Sequence, residues 1–295
     1  MQPGFRSFLG KIRRFLAGTL VTAVIFALCF VFKHPVAAKS HLYSVARDFM
    51  KISMDLKTHH WYVIDGENFR VKYQPVDAPV ARLVLDTAEE ACRTVNEMLD
   101  YRPTEPVYVY IYPTKETLNK SFGWDASVNA MGVYWAGTIR ILSPLDWVED
   151  EEQLETVFRE SGPLIHEYAH LLVDYRTQGN YPRWLTEGIA QYVERELTGY
   201  LLAAAAEDQG DWYSLKDMDE GFDLLPDQSL AYRQSLLAVD YLVELKGFDG
   251  VLALLEELAA GKKISEALEA VLGQDLDTFE VSFKRWVTSQ ETAGP

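Results

Sequence analysis

The chain has 295 residues, 48% of them hydrophobic and 24% charged, which suits one large or two small globular domains and excludes a disordered chain. Its formal net charge of -16, with no basic patch of interleaved aromatic residues after residue 60, argues against a nucleic acid partner. The spacing of Cys29 and Cys92 supports neither a disulfide framework nor a thiolate metal site, so we predict that Cys92 is a small core residue.

An uncharged apolar run at residues 15–32 follows an N-terminus that contains Arg6, Lys11, Arg13 and Arg14. Its length of about 18 residues is near the lower limit for a membrane-spanning helix and long for the core of a signal peptide. The basic residues predict that the N-terminus stays in the cytoplasm and that the rest of the chain is exported. We therefore expect residues 1–38 to form a membrane anchor, with a secreted form cleaved near Ala38 as the alternative.

Residues 39–60 are predicted to form an amphipathic helix beside the membrane. Its apolar stripe recurs at spacings of three and four residues: Leu42, Val45, Phe49, Ile52 and Leu56. Because fewer than three heptads are present, we predict packing on the rest of the chain or on lipid rather than a coiled coil. We expect the adjacent His59 and His60 to be surface or interface residues, since neighbouring side chains point in different directions.

Predicted strands and predicted helices alternate over residues 61–145. Two short strands flank a turn at residues 65–66, and a helix over residues 78–99 precedes a strand over residues 107–112. A short helix follows Thr114, and a hairpin over residues 131–143 turns at residues 136–137. The pattern predicts a small mixed sheet with accompanying helices.

Residues 146–295 are predicted to be mainly helical. The acidic residues 149–152 suit a helix N-terminus, and Pro163, after Ser161 and Gly162, suits the start of the next helix. Further helices are predicted over residues 182–197, 232–245, 250–259, 264–272 and 276–288. The predicted fold class is therefore α+β, with an N-terminal membrane helix, a small mixed sheet subdomain and a mainly helical subdomain.

The sequence HEYAH, at residues 166–170, lies in the helix that follows Pro163. Because residues four apart lie one turn apart on one helix face, His166 and His170 can direct two imidazoles at one metal ion. Glu167 lies about 100° further round the helix, which places its carboxylate beside the metal, where a general base for an attacking water belongs. The pattern predicts a metal site with an adjacent base.

The third ligand is expected to be a carboxylate, because no histidine follows His170. Asp174 is a poor choice, since the row of His166, His170 and Asp174 extends over about 12 Å at about 1.5 Å per residue and cannot close round one ion. A carboxylate on a neighbouring helix is needed instead.

Glu187 meets this requirement if two helices form an antiparallel hairpin. Suppose that the first helix ends near residue 175 and the next begins near residue 182. His170 and Glu187 then each lie about 7.5 Å from the connection, so the two side chains are side by side at the same height along the two helices. Glu194, two turns further on, overshoots the histidines by several Å at about 1.5 Å per residue. We therefore predict Glu187 as the third ligand.

Three segments resemble the peptidase MA-like domains of the gluzincin metallopeptidases in motif, order and approximate spacing: HEYAHLLVDY, YPRWLTEGIAQYVE and YRQSLLAVDYL. The resemblance covers residues 131–295 and is specific, because the first two motifs must occur in this order. It implies a zinc-metallopeptidase domain with one Zn2+ per chain, held by His166, His170 and Glu187, and a peptide or protein substrate. It also implies that Glu167 activates water for peptide-bond hydrolysis.

Other residues have two open interpretations each. Tyr232, which matches the third motif, is a candidate donor to the oxyanion of the transition state or a core tyrosine. Asp174 is a candidate to orient a ligand imidazole or an exposed residue. Trp184 is predicted to pack in the core, and the strand at residues 132–135 is predicted, by family analogy, to offer its edge to an extended peptide.

These expectations describe a membrane-anchored, extracytoplasmic zinc metallopeptidase. Two other classes stay open. One is an inactive peptidase-like domain that binds a protein partner outside the membrane, and the other is a membrane-tethered structural or assembly protein. The sequence leaves the substrate, and cleavage within a chain or at its end, undecided.

Overall fold

The computed structural model describes residues 35–200 and 212–293, so the apolar run at residues 15–32 and Cys29 lie outside the described residues. No helix in the described ranges is both long enough and apolar enough to cross a membrane. The chain divides into two compact units, Met1–Val45 and Ala46–Pro295. The predicted boundary between residues 145 and 146 falls inside the second unit and stays a prediction.

The first helix, α1, spans Pro35–Lys57, close to the predicted range. Within the second unit, it packs on the sheet through Met54, which is buried with Tyr110 and Leu142. The apolar stripe lies on another face, and its members are all exposed: Leu42 72%, Val45 62%, Phe49 68%, Ile52 60% and Leu56 68%. For the stripe residues of the second unit, Phe49, Ile52 and Leu56, packing on the rest of that unit is therefore wrong, because other residues of α1 make the contact with the sheet.

Five strands form one mixed sheet in the order β1-β2-β3-β5-β4. They are β1 Tyr62–Asp65, β2 Phe69–Tyr73, β3 Val107–Tyr112, β4 Gly132–Trp135 and β5 Thr138–Leu142. Strand β3 runs parallel to β2 and β5, whereas β1 and β4 pair antiparallel at the two edges. The predicted strands and both predicted hairpins are confirmed, and the central strands β2, β3 and β5 are the buried ones, as their β-branched and aromatic residues favour.

Four helices accompany the sheet: α2 Ala78–Met98, α3 Lys115–Phe122, α4 Pro144–Trp147 and α5 Leu154–Ser161. Thr114 caps α3 by accepting a hydrogen bond from the backbone N–H of Thr117. The acidic residues 149–152 lie directly before the N-terminus of α5, as predicted, and are exposed. Asp150 accepts a hydrogen bond from the backbone N–H of Glu152 in the turn that precedes the helix.

Within the described residues, six further helices follow: α6 Leu164–Thr177, α7 Arg183–Thr198, α8 Leu215–Glu220, α9 Gln228–Ala259, α10 Ile264–Leu272 and α11 Leu276–Ala293. Of these, α8 is not predicted by the apolar pattern. The helices predicted over residues 232–245 and 250–259 are the two arms of α9, which is interrupted at Gly247 with φ 67°, a conformation that glycine adopts without steric cost. The main core lies between the sheet and these helices and includes Cys92, which is buried as predicted.

Candidate metal centre

Helices α6 and α7 form the antiparallel hairpin that positions the predicted ligands. Helix α6 ends at Thr177, and the next residue, Gln178, has a left-handed backbone (φ 56°) that turns the chain together with Gly179 (φ 77°). Pro182 then precedes the first residue of α7 in an extended conformation, which its ring favours and which places it outside the helix. The hairpin brings His166 and His170 on α6 level with Glu187 on α7.

Three side-chain atoms of the hairpin converge on one point. The Nε2 atoms of His166 and His170 are 3.1 Å apart, and each lies 3.4 Å from Glu187 Oε2. Ligand atoms at about 2.0 to 2.1 Å from zinc in a tetrahedral arrangement are about 3.3 Å apart, so the triangle has the size of one face of such a tetrahedron. Within the described ranges, this is the one group of three or more His, Cys, Asp or Glu side chains that can hold a metal ion.

The two oxygens of the Glu187 carboxylate differ in their contacts. Arg183, one turn earlier on α7, contacts Glu187 Oε1 at 2.8 Å. Glu187 Oε2 is buried and accepts no hydrogen bond of normal geometry from any residue in the described part of the chain. A buried, unsatisfied carboxylate oxygen is costly in an apolar interior, and a cation between Oε2 and the two imidazoles would satisfy it. The residues present therefore fit a zinc ion.

The charges at the site are strongly coupled. Burial alone would lower the pKa of His166, but the carboxylates of Glu187 and Glu194 outweigh burial and raise this pKa well above its ordinary value. Burial alone would raise the pKa of Glu187, but Arg183 and the two imidazoles hold this pKa well below its ordinary value. Glu187 is thus ionised near neutral pH, whereas His166 must lose a proton before it can bind a metal.

Each imidazole has a partner on the nitrogen that faces away from the triangle. His170 Nδ1 lies 2.7 Å from Thr186 Oγ1, and His166 Nδ1 lies 3.3 Å from Glu194 Oε2. When Nδ1–H donates in both rings, Nε2 presents a lone pair to the centre of the triangle, which is the tautomer that a metal ligand needs. Thr186 and Glu194 therefore orient the two rings.

Asp174 is neither exposed nor an imidazole partner, so both expectations for it are wrong. It is completely buried and accepts hydrogen bonds from Tyr134 Oη at 2.6 Å, Tyr181 Oη at 3.3 Å and Arg47 Nη1 at 3.3 Å. Although Asp174 lies one turn beyond His170, its carboxylate faces strand β4 and helix α1. Asp174 therefore links α6 to its neighbours rather than to the metal centre.

Glu167 lies where α6 meets the edge strand β4. Its Oε2 accepts a hydrogen bond of 2.5 Å from the main-chain N–H of Tyr134. Strand and helix are close here because residue 132 is glycine, and a Cβ at this position would lie 2.5 Å from Pro163 Cβ and 2.9 Å from Glu167 Cγ. Burial raises the pKa of Glu167 above its ordinary value, which moves the carboxylate toward the basicity that a general base needs near neutral pH.

Tyr232 lies on helix α9, where its ring contacts Phe222. Helix α9 packs closely on α7 at Gly188, where a Cβ would lie 2.2 Å from the backbone oxygen of Ser235. The Glu187 carboxylate, followed by burial, raises the pKa of the Tyr232 phenol well above its ordinary value. Tyr232 thus lies within electrostatic reach of the predicted ligands and keeps its proton as a donor. Trp184, in contrast, is buried and stacks on Phe279, which confirms its predicted place in the core.

The sequence-based interpretation missed Arg183, Thr186 and Glu194. The signal for two of them is present in the sequence, because Arg183 precedes Glu187 by one helical turn and Glu194 follows it by two, on the same face of α7. Glu194 was considered only as a metal ligand. The contacts of Gly132 and Tyr134 have no comparable signal, since they join segments more than 30 residues apart.

Comparison with known proteins agrees with this geometry. Among curated proteins, none matches the chain. The sequence pattern of the Peptidase MA superfamily matches residues 87–289. This range begins 44 residues before the start of the resemblance at residue 131, and it includes the second half of α2 and the entire candidate metal centre. The chain belongs to the peptidase MA superfamily.

Proposed function

We propose that this protein is a zinc metallopeptidase of the gluzincin type that hydrolyses peptide bonds. The observation that carries the proposal is the convergence of His166 Nε2, His170 Nε2 and Glu187 Oε2, with the Glu167 carboxylate beside them. Three protein ligands leave a fourth position open, as catalytic zinc sites do. Membership of a peptidase superfamily supports the same reaction class.

The proposed roles follow from the contacts of each side chain. His166, His170 and Glu187 hold the ion, and a bound zinc ion supplies Lewis acidity to water and to the scissile carbonyl. Glu167 takes a proton from the attacking water and passes it to the leaving amine. The hydrogen bond from Tyr134 N–H to Glu167 Oε2 holds the carboxylate in place for this role.

The substrate is proposed to be a peptide or protein segment in extended form. Strand β4 is an edge strand whose residues Gly132 and Tyr134 contact α6 beside Glu167, which supports binding of a peptide as an additional strand near the metal centre. Tyr232, which keeps its proton, is proposed to donate a hydrogen bond to the oxygen that gains negative charge.

We also propose that residues 1–38 anchor the protein in a membrane, with the N-terminus in the cytoplasm and the catalytic domain outside it. The support is the sequence alone, namely four basic residues followed by an uncharged apolar run at residues 15–32. In this position, the peptidase would act on extracytoplasmic peptides or proteins.

Metal analysis combined with a hydrolysis assay tests the proposed activity. The full chain, purified in detergent, should contain one zinc ion and cleave an unfolded polypeptide or a peptide library. Cleavage should stop after treatment with a chelator and return when zinc is added. Cleavage that survives complete removal of metal would contradict the mechanism, and bound zinc without cleavage of any substrate would favour an inactive, partner-binding domain.

A further inference from the structure

Three large apolar side chains, Phe49, Ile52 and Leu56, form a row along the solvent-facing side of α1 in the second unit. They are 68%, 60% and 68% exposed, and their spacing of three and four residues places them on one face of the helix. Single exposed apolar residues are ordinary, but a contiguous apolar row is typical of a surface that contacts a partner. We call this row the α1 apolar face.

The α1 apolar face cannot turn toward the protein, because the other side of the helix is fixed. Met54 is 3% exposed beneath the helix, and Arg47 contacts the buried Asp174 at 3.3 Å. Asp55 forms an ion pair with Lys72 on β2. Any partner that covers the α1 apolar face must therefore come from outside the described part of the chain.

We infer that the α1 apolar face lies on the lipid surface of the membrane. This inference rests on the proposed membrane anchor. In the sequence, two residues, Lys33 and His34, separate the apolar run at residues 15–32 from Pro35, where α1 begins. An anchored chain would therefore deliver α1 to the interface between lipid headgroups and acyl chains, where an amphipathic helix lies in the plane with its apolar residues inserted.

Two further observations favour lipid over a second copy of the chain. The exposed parts of three side chains amount to a few hundred Å², whereas each partner in a stable dimer usually buries about 800 Å². Lys57, at the end of α1, is exposed and next to Leu56. A lysine at this place can extend its ammonium to lipid phosphates while its alkyl stem stays on apolar surface.

Lipid contact can be measured on the full chain in vesicles of phosphatidylcholine and phosphatidylglycerol. In a Cys29→Ser background, Ile52→Cys is labelled with an environment-sensitive fluorophore, while the buried Cys92 remains unlabelled. The matched control is Leu224→Cys, because Leu224 is also apolar and is 88% exposed. Quenching by spin-labelled lipid should be at least about threefold stronger at position 52 than at position 224. Adding Phe49→Gln and Leu56→Gln should reduce the quenching at position 52 to the control level.

Each other outcome overturns the inference. Equal, weak lipid quenching at both positions, with strong quenching by iodide in water, would place the α1 apolar face in solvent. Crosslinking between two copies through position 52 without lipid quenching would make a second copy the partner. In both cases, vesicle association by the anchor and hydrolysis of peptides would persist, so the proposed function would stand. If the protein fails to associate with vesicles, both the proposed anchor and the inference are refuted. Zinc content and hydrolysis test the catalytic proposal separately.

Discussion

The main-chain N–H of Tyr134 donates a hydrogen bond of 2.5 Å to Glu167 Oε2, and the phenol of the same residue donates one of 2.6 Å to Asp174 Oδ2. Glu167 and Asp174 are separated by about 10.5 Å along α6, at about 1.5 Å per residue. Tyr134 therefore attaches the edge strand β4 to helix α6 at two positions along the helix. A peptide that extends the sheet at β4 would meet Glu167 in a fixed register.

Gly132→Ala should separate catalysis from metal binding. The added Cβ meets Pro163 Cβ at 2.5 Å and Glu167 Cγ at 2.9 Å, so β4 must move away from α6 and Glu167 must shift. We expect at least about a tenfold loss of kcat, because small displacements of a catalytic group are costly, and a destabilisation of about 1–3 kcal/mol from overpacking. Zinc content should be unchanged, as measured by metal analysis beside the kinetics.

Gly221→Ala is the matched control for this prediction. Its backbone has φ -147°, and an added Cβ would lie 3.8 Å from the backbone oxygen of Asp217, an ordinary contact. This variant should retain wild-type kcat and stability. If both variants behave alike, the close contact between β4 and α6 has no role in positioning Glu167.

Glu187→Ala and Glu194→Ala should differ in zinc binding. Removal of Glu187 removes one of three predicted ligands, so stoichiometric zinc should be lost. Removal of Glu194 leaves the three ligands and takes away only the partner of His166 Nδ1, so zinc should still bind with an affinity about 10–100-fold lower. Competition with a coloured chelator measures both affinities. Unaltered zinc affinity in the Glu187 variant would refute the ligand assignment.

The metal-free protein should lose stability as the pH rises past neutrality. The pKa of His166 is raised above its ordinary value by Glu187 and Glu194, so its contribution is complete below about pH 6.5, the unfolded value, and disappears as the pH rises through the folded value. In metal-free samples, the Tm of the wild type should exceed that of His166→Gln at pH 6. This difference should shrink as the pH rises through the raised pKa of His166 in the folded protein. A constant difference across this range would contradict the proposed coupling.

A reporter fused after Pro295 tests the proposed membrane topology. The basic residues before the apolar run predict export of everything that follows it. An enzyme that is active only outside the cytoplasm should therefore be active in the fusion, and the protein should sediment with membranes unless it is cut near Ala38. Replacing Arg6, Lys11, Arg13 and Arg14 with neutral residues is the control that should weaken this orientation. A cytoplasmic reporter in the unaltered fusion would refute the topology.

Local sequence signals were sufficient for most elements of the fold. The alternating residues of β3 and the turn at residues 136–137 specify their structure over a few neighbours. The His166, His170 and Glu187 group was also predictable, because helical rise and hairpin geometry fix the level at which two neighbouring helices present their side chains. The acidic residues 149–152 indicate the region of a helix N-terminus but not its first residue, because the same side chains also stabilise a turn before the helix.

Long-range contacts were not predictable from a single sequence. Asp174 lies on the row of His166 and His170, yet its partners Arg47 and Tyr134 are distant in the chain and come together only when α1 and β4 pack on α6. The exposed stripe of α1 is a similar case. Its apolar period is that of a core-facing helix, and only the packing of Met54 determines which face meets the sheet.

We propose that Glu167 acts as the base beside a zinc ion held by His166, His170 and Glu187. Glu167→Gln tests it most directly, because the amide oxygen can still accept the hydrogen bond from Tyr134 N–H but the side chain cannot take a proton from water. We predict one zinc ion per chain in this variant and a loss of peptide hydrolysis of at least about 100-fold, measured on the same preparation. Wild-type hydrolysis by a Glu167→Gln protein that contains zinc would show that Glu167 is not the base.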